Sequence, residues 1–297
     1  MMFIDTLLIG ISSGAIYSLM ALALVLVWRS TRVINFAQSG QAVLSTYIGY
    51  EITVRTHNYW ISLPVAIIAG ALLGSMIDLL FLRVLTKRVK SGPIAEIAPV
   101  IATLGLLGLI QSLIGLIWGN AFLHYSSPLS AKGFTFRSHT IPFSPQNALI
   151  VLASATVLAI FGLIFKYTNL GLALRAASFQ PEIAQLSGIR VARIRNVGWA
   201  FSGAAGAVAG AVITPTSTLS PNSLDLLFVS GFIAAVIGGL DSLVGAVVGG
   251  LVLGVGFAFI LQYIGSSVTF LIGFIILMVV LLVRPRGIFG SKVGRHA

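Results

Sequence analysis

Residues Phe3 to Trp28 read FIDTLLIGISSGAIYSLMALALVLVW, an apolar run whose single charge is Asp5. A run of that length exceeds the roughly 18 residues that carry a helix across a bilayer. No Lys or Arg precedes it and it is too long for a signal-peptide core, so it is expected to remain as a membrane anchor. Eight further stretches follow the same pattern: Ile34 to Val54, Ile61 to Leu82, Ile94 to Trp118, Asn147 to Phe165, Val197 to Pro215, Leu226 to Leu240, Leu243 to Gln262 and Ser267 to Val283. Hydrocarbon offers no partner to backbone N–H and C=O groups, and no strand-like alternation runs through these stretches, so they read as helices. The expected fold class is all-α, a polytopic transmembrane bundle of about eight to ten spans. Two stretches are weaker. Ile34 to Val54 is crowded in its first half by Asn35, Gln38, Ser39, Gln41 and Ser45, and Leu226 to Leu240 is short enough to be half of a re-entrant hairpin returning at Leu243.

Composition points the same way. Hydrophobic residues make up 57% of the 297 positions and charged residues only 8%, with a mean hydropathy of +1.03, far more apolar surface than a soluble core of this size hides. The net charge of +11 does not indicate nucleic acid, because the basic residues sit in short loops between apolar runs rather than along one surface. Orientation explains them better. With the amino terminus outside, Arg29, Arg32, Arg83, Lys87, Arg88, Lys90, Lys166, Arg175, Arg190, Arg193, Arg195, Arg284, Arg286, Lys292 and Arg295 are cytoplasmic, and only Arg55, Lys132 and Arg137 are outside. That bias matches the positive-inside rule and puts the carboxyl terminus in the cytoplasm. Cysteine is absent, which excludes disulfides and thiolate chemistry.

Catalysis finds no foothold. Seven carboxylates and four histidines form no HExxH or GxSxG signature, and no phosphate-binding GxxxxGK[ST] loop occurs, so any ATP must be bound by another polypeptide. No catalytic residue, metal ligand or cofactor is assigned; His124 and His139 read as solvent-facing. An ion relay would need buried charge, yet Asp78, Glu96 and Asp241 lie near span ends, and Asp78 reads as a carboxylate drawn to the interface beside Arg83. Glycines four apart, at Gly10/Gly14, Gly70/Gly74, Gly115/Gly119, Gly206/Gly210, Gly245/Gly249 and Gly250/Gly254, predict close helix packing. Polar side chains inside spans, namely Asn35, Gln38, Ser39, Thr103, Gln111 and Ser112, are candidate linings of a translocation path, with helix-to-helix hydrogen bonding as the alternative for each.

The chain reads as a single membrane domain over residues 1–297, interrupted by an extracytoplasmic loop at 120–146 and a cytoplasmic loop at 166–196. The second carries NLGLALRAASFQPEIAQLSG, Asn169 to Gly188, a polar and helix-prone segment in an otherwise apolar chain. Pro181 suits the first position of a helix, Glu182 favours its positive end and Gly188 suits its termination. A short helix on the membrane surface is expected there, as a docking and coupling segment for a soluble partner.

Four motifs, INFAQSG from Ile34, GLALRAASFQPEIAQLSGI from Gly171, VIGGLDSLVGAVVGGLVLG from Val236 and RPRGIFG from Arg284, occur in order over most of the chain. In them the sequence resembles the membrane-spanning permeases of branched-chain amino acid ABC importers, of the LivH type. The resemblance implies a multi-pass permease of the bacterial cytoplasmic (inner) membrane, not itself an enzyme. Its implied partners are two ATPase subunits, a second homologous permease and an extracytoplasmic binding protein that delivers a branched-chain or other small hydrophobic amino acid. It also implies that the ATPase docks on the loop, which carries over Arg175, Ala176, Glu182, Ala184 and Gly188 as coupling residues. One departure stands out: family members commonly read Asn-Phe-Ala-His-Gly-Glu where this chain has Asn35 to Gly40 without a carboxylate. Permeases for urea or short-chain amides, and an ion-coupled secondary amino acid transporter, are the alternative readings.

Overall fold

The computed structural model describes residues 2–88, 93–136 and 139–290; Lys90, Arg137, Lys292 and Arg295 lie outside them, as do the side chains of Glu96 and His139. Every apolar stretch falls on a helix. They are α1 (Met2–Thr31), α2 (Gln38–Thr56), α3 (Tyr59–Met76, continued by a π-helical turn Ile77–Leu82 and α4, Arg83–Arg88), α5 (Pro93–Trp118) and α6 (Pro145–Tyr167). After the two short helices α7 (Asn169–Phe179) and α8 (Pro181–Leu186) come α9 (Val191–Ile213), α10 (Asp225–Gly238), α11 (Leu243–Tyr263) and α12 (Thr269–Val283). Among the described residues, seven helices are long and apolar enough to cross a membrane, which makes this a polytopic helical membrane bundle.

Local chemistry sets where the helices begin. Asn58 accepts a hydrogen bond from Trp60 N (2.9 Å) at the start of α3, Ser144 from Asn147 N (3.2 Å) at α6, Thr168 from Gly171 N (3.1 Å) at α7 and Ser242 from Gly245 N (2.9 Å) at α11. Each supplies an acceptor to a backbone donor that the first helical turn leaves open.

The two weak stretches are the irregular ones. Residues 32–37 are not helical, and α2 starts only at Gln38. Asn35 satisfies this bend by accepting from Ala37 N (3.1 Å), while Thr103 Oγ1 of α5 accepts from Phe36 N (3.3 Å). Non-helical backbone at membrane depth persists only where protein covers it, and Asn35 and Ala37 are buried. At 14 residues, α10 spans about 21 Å, less than a hydrocarbon core. The stretch before it, 217–224, turns inward with Leu219 and Leu224 buried. Phe36 packs on Phe228 and Phe232 of α10, with ring centroids 5.8 and 6.4 Å away, so the two irregular regions meet each other.

Helices α1 and α9 form the centre: 72% of the apolar window in each is buried, against 11% in α12, which faces outward with α5 and α6. Glycine makes that centre tight. Gly10 and Gly14 of α1 face α11, where a Cβ on them would stand 2.7 Å from Val255 Cα and 2.9 Å from Leu251 Cα. Gly70 and Gly74 meet the α9 backbone at Gly203 and Trp199, Gly206 and Gly210 receive Gln38 and Thr46 of α2, and Gly245 and Gly249 back onto α10. With Gly250 and Gly254, which back onto Ser18 and Gly14 of α1, five of the six glycine pairs pack within the chain, as dispersion without a hydrophobic drive requires. The sixth does not: Gly115 approaches only Asn120, and Gly119, at φ 81°, ends α5.

At the end of the bundle holding the amino terminus, Leu123 and Leu219 exchange backbone hydrogen bonds (2.9 and 3.0 Å), and a short antiparallel pair joins β1 (Phe134–Phe136) to β2 (His139–Ile141). Tyr125 is buried there, its hydroxyl 3.0 Å from Ser62 Oγ. The described part of the loop between α5 and α6 is therefore structured.

Candidate functional site

The loop between α6 and α9 folds as two helices rather than one. Gly171 lets α7 lie against the last turn of α6 at Ile164 and Phe165, and Leu174 is buried beneath it. Gln180 breaks the helix, Pro181 starts α8, and Ala184 is the buried residue that anchors it. The chain then leaves through Gly188 at φ 82°, with Ile189 N donating to Ala184 O (2.9 Å) and Gly188 N to Gln185 O (3.0 Å), a left-handed helix ending that glycine adopts without strain. Leu172, Phe179, Ile183 and Leu186 are left exposed, Leu186 at 88%. Ala176 is half-buried, Glu182 is exposed on the first turn of α8, and Arg175 turns toward a cavity it shares with Arg29 and Asp241.

Close to this segment a charged cluster joins α3 to α9. Asp78 is fully buried in the π-helical turn, where it accepts from Arg83 Nε (3.1 Å) and Asn196 Nδ2 (3.3 Å). Arg195 Nε stands 2.9 Å from its other oxygen, an ion contact off the hydrogen-bond angle. Arg83 also donates to Ala192 O, and Asn196 bonds both Ser75 Oγ and Ser75 O (2.9 Å each). The expectation of a carboxylate drawn out to the interface is corrected: Arg83 is its partner as read, but Arg195 and Asn196, more than a hundred positions away, hold Asp78 inside. The π turn, which adds a residue to the helical circuit and recurs at functional positions, accompanies that placement.

The polar residues inside spans fall into two groups. Gln38 is fully buried, its Oε1 accepting from Asn35 Nδ2 (3.0 Å) and Ser202 Oγ (2.9 Å) and its Nε2 donating to Ser202 O (3.2 Å). Gln41 donates to Gly70 O (3.0 Å), and Thr103 bridges Val100 O and Phe36 N. Ser39 is buried with its hydroxyl unpartnered. Asn35, Gln38, Ser39 and Thr103 therefore sit within helix packing. Gln111 and Ser112 do not: with Gly108, Asn120, Pro221 and Asn222 they line a cavity of about 550 Å³ toward the amino-terminal end. Gln111 Nε2 also donates to both carboxylate oxygens of Asp225 (3.2 and 3.1 Å), at the first turn of α10. Asp225, Ser202, Asn196 and Arg195 went unrecognised in the sequence as members of these groups. Only Asp225 had a local signal, an acidic residue opening a short apolar helix.

The family model for the branched-chain amino acid transport system permease component matches residues 6–283. A Methanocaldococcus jannaschii protein, named "Probable branched-chain amino acid transport permease protein LivH", is 32% identical over 92% of this chain and 88% of its own. The high-affinity branched-chain amino acid transport system permease LivH of Salmonella typhimurium is 26% identical, and BraD of Pseudomonas aeruginosa 27%, each over 97% of this chain and 96% of the relative. Among solved structures, PsaBC from Streptococcus pneumoniae in complex with Fab aligns at a TM-score of 0.47 and 16% identity, covering 96% of this chain and 91% of that one, a likeness too distant to fix a fold. The match of the family model over residues 6–283, with a relative 32% identical over 92% of this chain, leads to one conclusion: the chain belongs to the branched-chain amino acid transport system permease component family.

Proposed function

We propose that this chain is one permease subunit of an ATP-driven importer in the cytoplasmic membrane of its cell. It works with a second homologous permease, two ATPase subunits and an external binding protein, and carries branched-chain or similarly small apolar amino acids. The observation that carries the reading is the α7–α8 segment. Its buried residues Leu174 and Ala184 fasten it to the bundle, while Leu172, Phe179, Ile183 and Leu186 present an exposed apolar surface with Glu182 beside it. Such a surface calls for a partner. In this scheme the ATPase docks there, Gly188 and Gln180 act as the bends about which the segment moves, and Ala176 and Ala184 keep the docking face close to the bundle.

The amino-terminal end faces outward. Support comes from the helix ends: Arg29, Arg83, Lys87, Arg88, Lys166, Arg193, Arg195 and Arg284 all lie at the opposite end of their helices or just beyond it. Substrate enters the Gln111–Ser112 cavity, and the Asp225 carboxylate, held by Gln111 behind the cavity wall, attracts the ammonium group of a zwitterion. Asn35, Gln38, Ser39 and Thr103 shape the path indirectly by holding the irregular 32–37 segment. The altered Asn35–Gly40 motif then gives no support to a different cargo, because Gln38 is bonded to Asn35 and Ser202 rather than turned into the cavity. Switching access requires two arrangements of nearly equal energy whose ATPase contacts differ. Asp78, tied to two arginines at the base of α3 and α9, links the two helices beside the docking segment.

The test is purification of the intact complex from native membranes in mild detergent, followed by identification of stoichiometric partners and uptake assays in proteoliposomes. Recovery of an ATPase pair with a second permease, and ATP-dependent uptake of leucine-like amino acids, is the expected result. A lone chain that transports on an ion gradient without ATP overturns the proposal.

A further inference from the structure

Where α1, α6, α7 and α11 converge at the end opposite the amino terminus, a cavity of about 760 Å³ opens sideways between α6 and α11. Arg29, Lys166 and Arg175 line it together with a single carboxylate, Asp241. That carboxylate is already engaged: Arg32 pairs with it and Trp28 Nε1 donates to it (3.2 Å). Among the described residues Arg29, Lys166 and Arg175 form no ion pair. Arg29 instead lies over the Phe165 ring, 5.3 Å from its centroid, and Lys166 over Tyr167 at 5.0 Å. Three cations thus face one space whose single carboxylate among the described residues, Asp241, attracts Arg29 but is already paired with Arg32.

Apart from Tyr167 and Ser242, whose hydroxyl caps α11, the rest of the wall is apolar. Gly162 has no neighbour within 4 Å of where a side chain would begin, and Leu163 of α6 and Val244 of α11 are exposed beside it. A free inorganic anion has no use for such a flank. An amphiphile with a phosphate head and an acyl chain satisfies both halves. We propose that this cavity binds an anionic phospholipid of the cytoplasmic leaflet, its phosphate held by Arg29, Lys166 and Arg175 and one acyl chain lying between α6 and α11. Basic pockets between helices on this side of a membrane are suited to such headgroups. Because Arg175 belongs to α7, the lipid ties the docking segment to α1 and α6, and the primary partner of Arg175 is the lipid rather than an acidic group of the ATPase. The inference is independent of the cargo carried, since its readout is lipid retention and not transport.

The experiment is native mass spectrometry of the full chain, purified in mild detergent and exchanged through nanodiscs of phosphatidylglycerol mixed with phosphatidylcholine. The wild-type protein is expected to retain phosphatidylglycerol over phosphatidylcholine, and millimolar inorganic phosphate should not displace it. Arg29→Gln should weaken retention about fivefold and Arg29→Gln with Arg175→Gln about twenty-fivefold, following the contribution of one cation near an anionic surface. Arg29→Lys, which keeps the charge, should restore it. Equal retention of both lipids by the wild-type protein, a measurement that needs no variant, refutes the site. So does displacement by inorganic phosphate, which would assign the cations to a free anion. Loss of the lipid whenever the ATPase co-purifies would instead give these cations to the protein partner and also overturn the proposal.

Discussion

Replacing Gly254 by alanine separates packing from helix propensity, because Gly256 on the same helix serves as its control. A Cβ on Gly254 would fall about an ångström inside ordinary contact with both Gly14 N and Gly14 Cα of α1. These are backbone atoms, and no rotamer change moves them aside. A Cβ on Gly256 meets nothing within 4 Å. Both substitutions gain about 1 kcal/mol of intrinsic helix preference. Only Gly254→Ala must push α1 and α11 apart, and overpacking of a close-packed site costs about 1–3 kcal/mol, with the rigid backbone placing this case at the upper end. The two variants should therefore differ by about 3 kcal/mol, or at least about 5 °C in unfolding midpoint for a chain of this size. The assay is thermal unfolding of the detergent-purified protein, followed by tryptophan fluorescence and by recovery of the monodisperse peak. Midpoints that agree within a degree would refute the α1–α11 contact on which the centre of the bundle rests.

Other expectations follow from the same geometry. Asp78→Asn leaves Arg83 and Arg195 facing each other without a carboxylate; since both arginines retain some solvent, the cost should be about 2 kcal/mol rather than the full penalty for a buried pair, read as a lower unfolding midpoint. An unchanged midpoint would mean the cluster is solvated. Asp225→Asn should raise the apparent KM for a zwitterionic substrate by about tenfold, the loss of one charge-assisted hydrogen bond, with membrane expression unaltered. Equal KM values would remove Asp225 from the path. Glu182→Ala and Leu186→Glu alter exposed positions on α8, so ATP-driven uptake should fall while insertion and thermal stability hold. Full uptake in both would count against the docking segment.

Much of the site was only half legible in the chain. Pro181, Glu182 and Gly188 announced α8 through local rules, and they lie where those rules put them. The break at Gln180 that makes two helices of the segment is local too, because Pro181 disfavours helical backbone at the residue before it, whereas the burial of Leu174 and Ala184 is set by the bundle. Gln38 and Gln111 look alike in sequence, each a glutamine inside an apolar span. One is enclosed by Asn35 and Ser202 and the other opens onto a cavity beside Asp225. Their difference comes from which helix packs alongside.

What the sequence alone determined is membership in the membrane, the seven stretches that form helices long and apolar enough to cross it, and the two places where helix geometry falters. Transfer into lipid is a sum over neighbouring residues, and the need to satisfy backbone groups internally leaves the helix as the only form such stretches take. Tertiary structure decided what the polar exceptions do. Asp78 is stable inside only because Arg83, Arg195 and Asn196 arrive from two helices, and Arg29, Lys166 and Arg175 form one cationic space only because α1, α6 and α7 end together. A buried charge or amide takes its energy from partners brought together by packing, and those partners lie up to 164 positions apart along the chain.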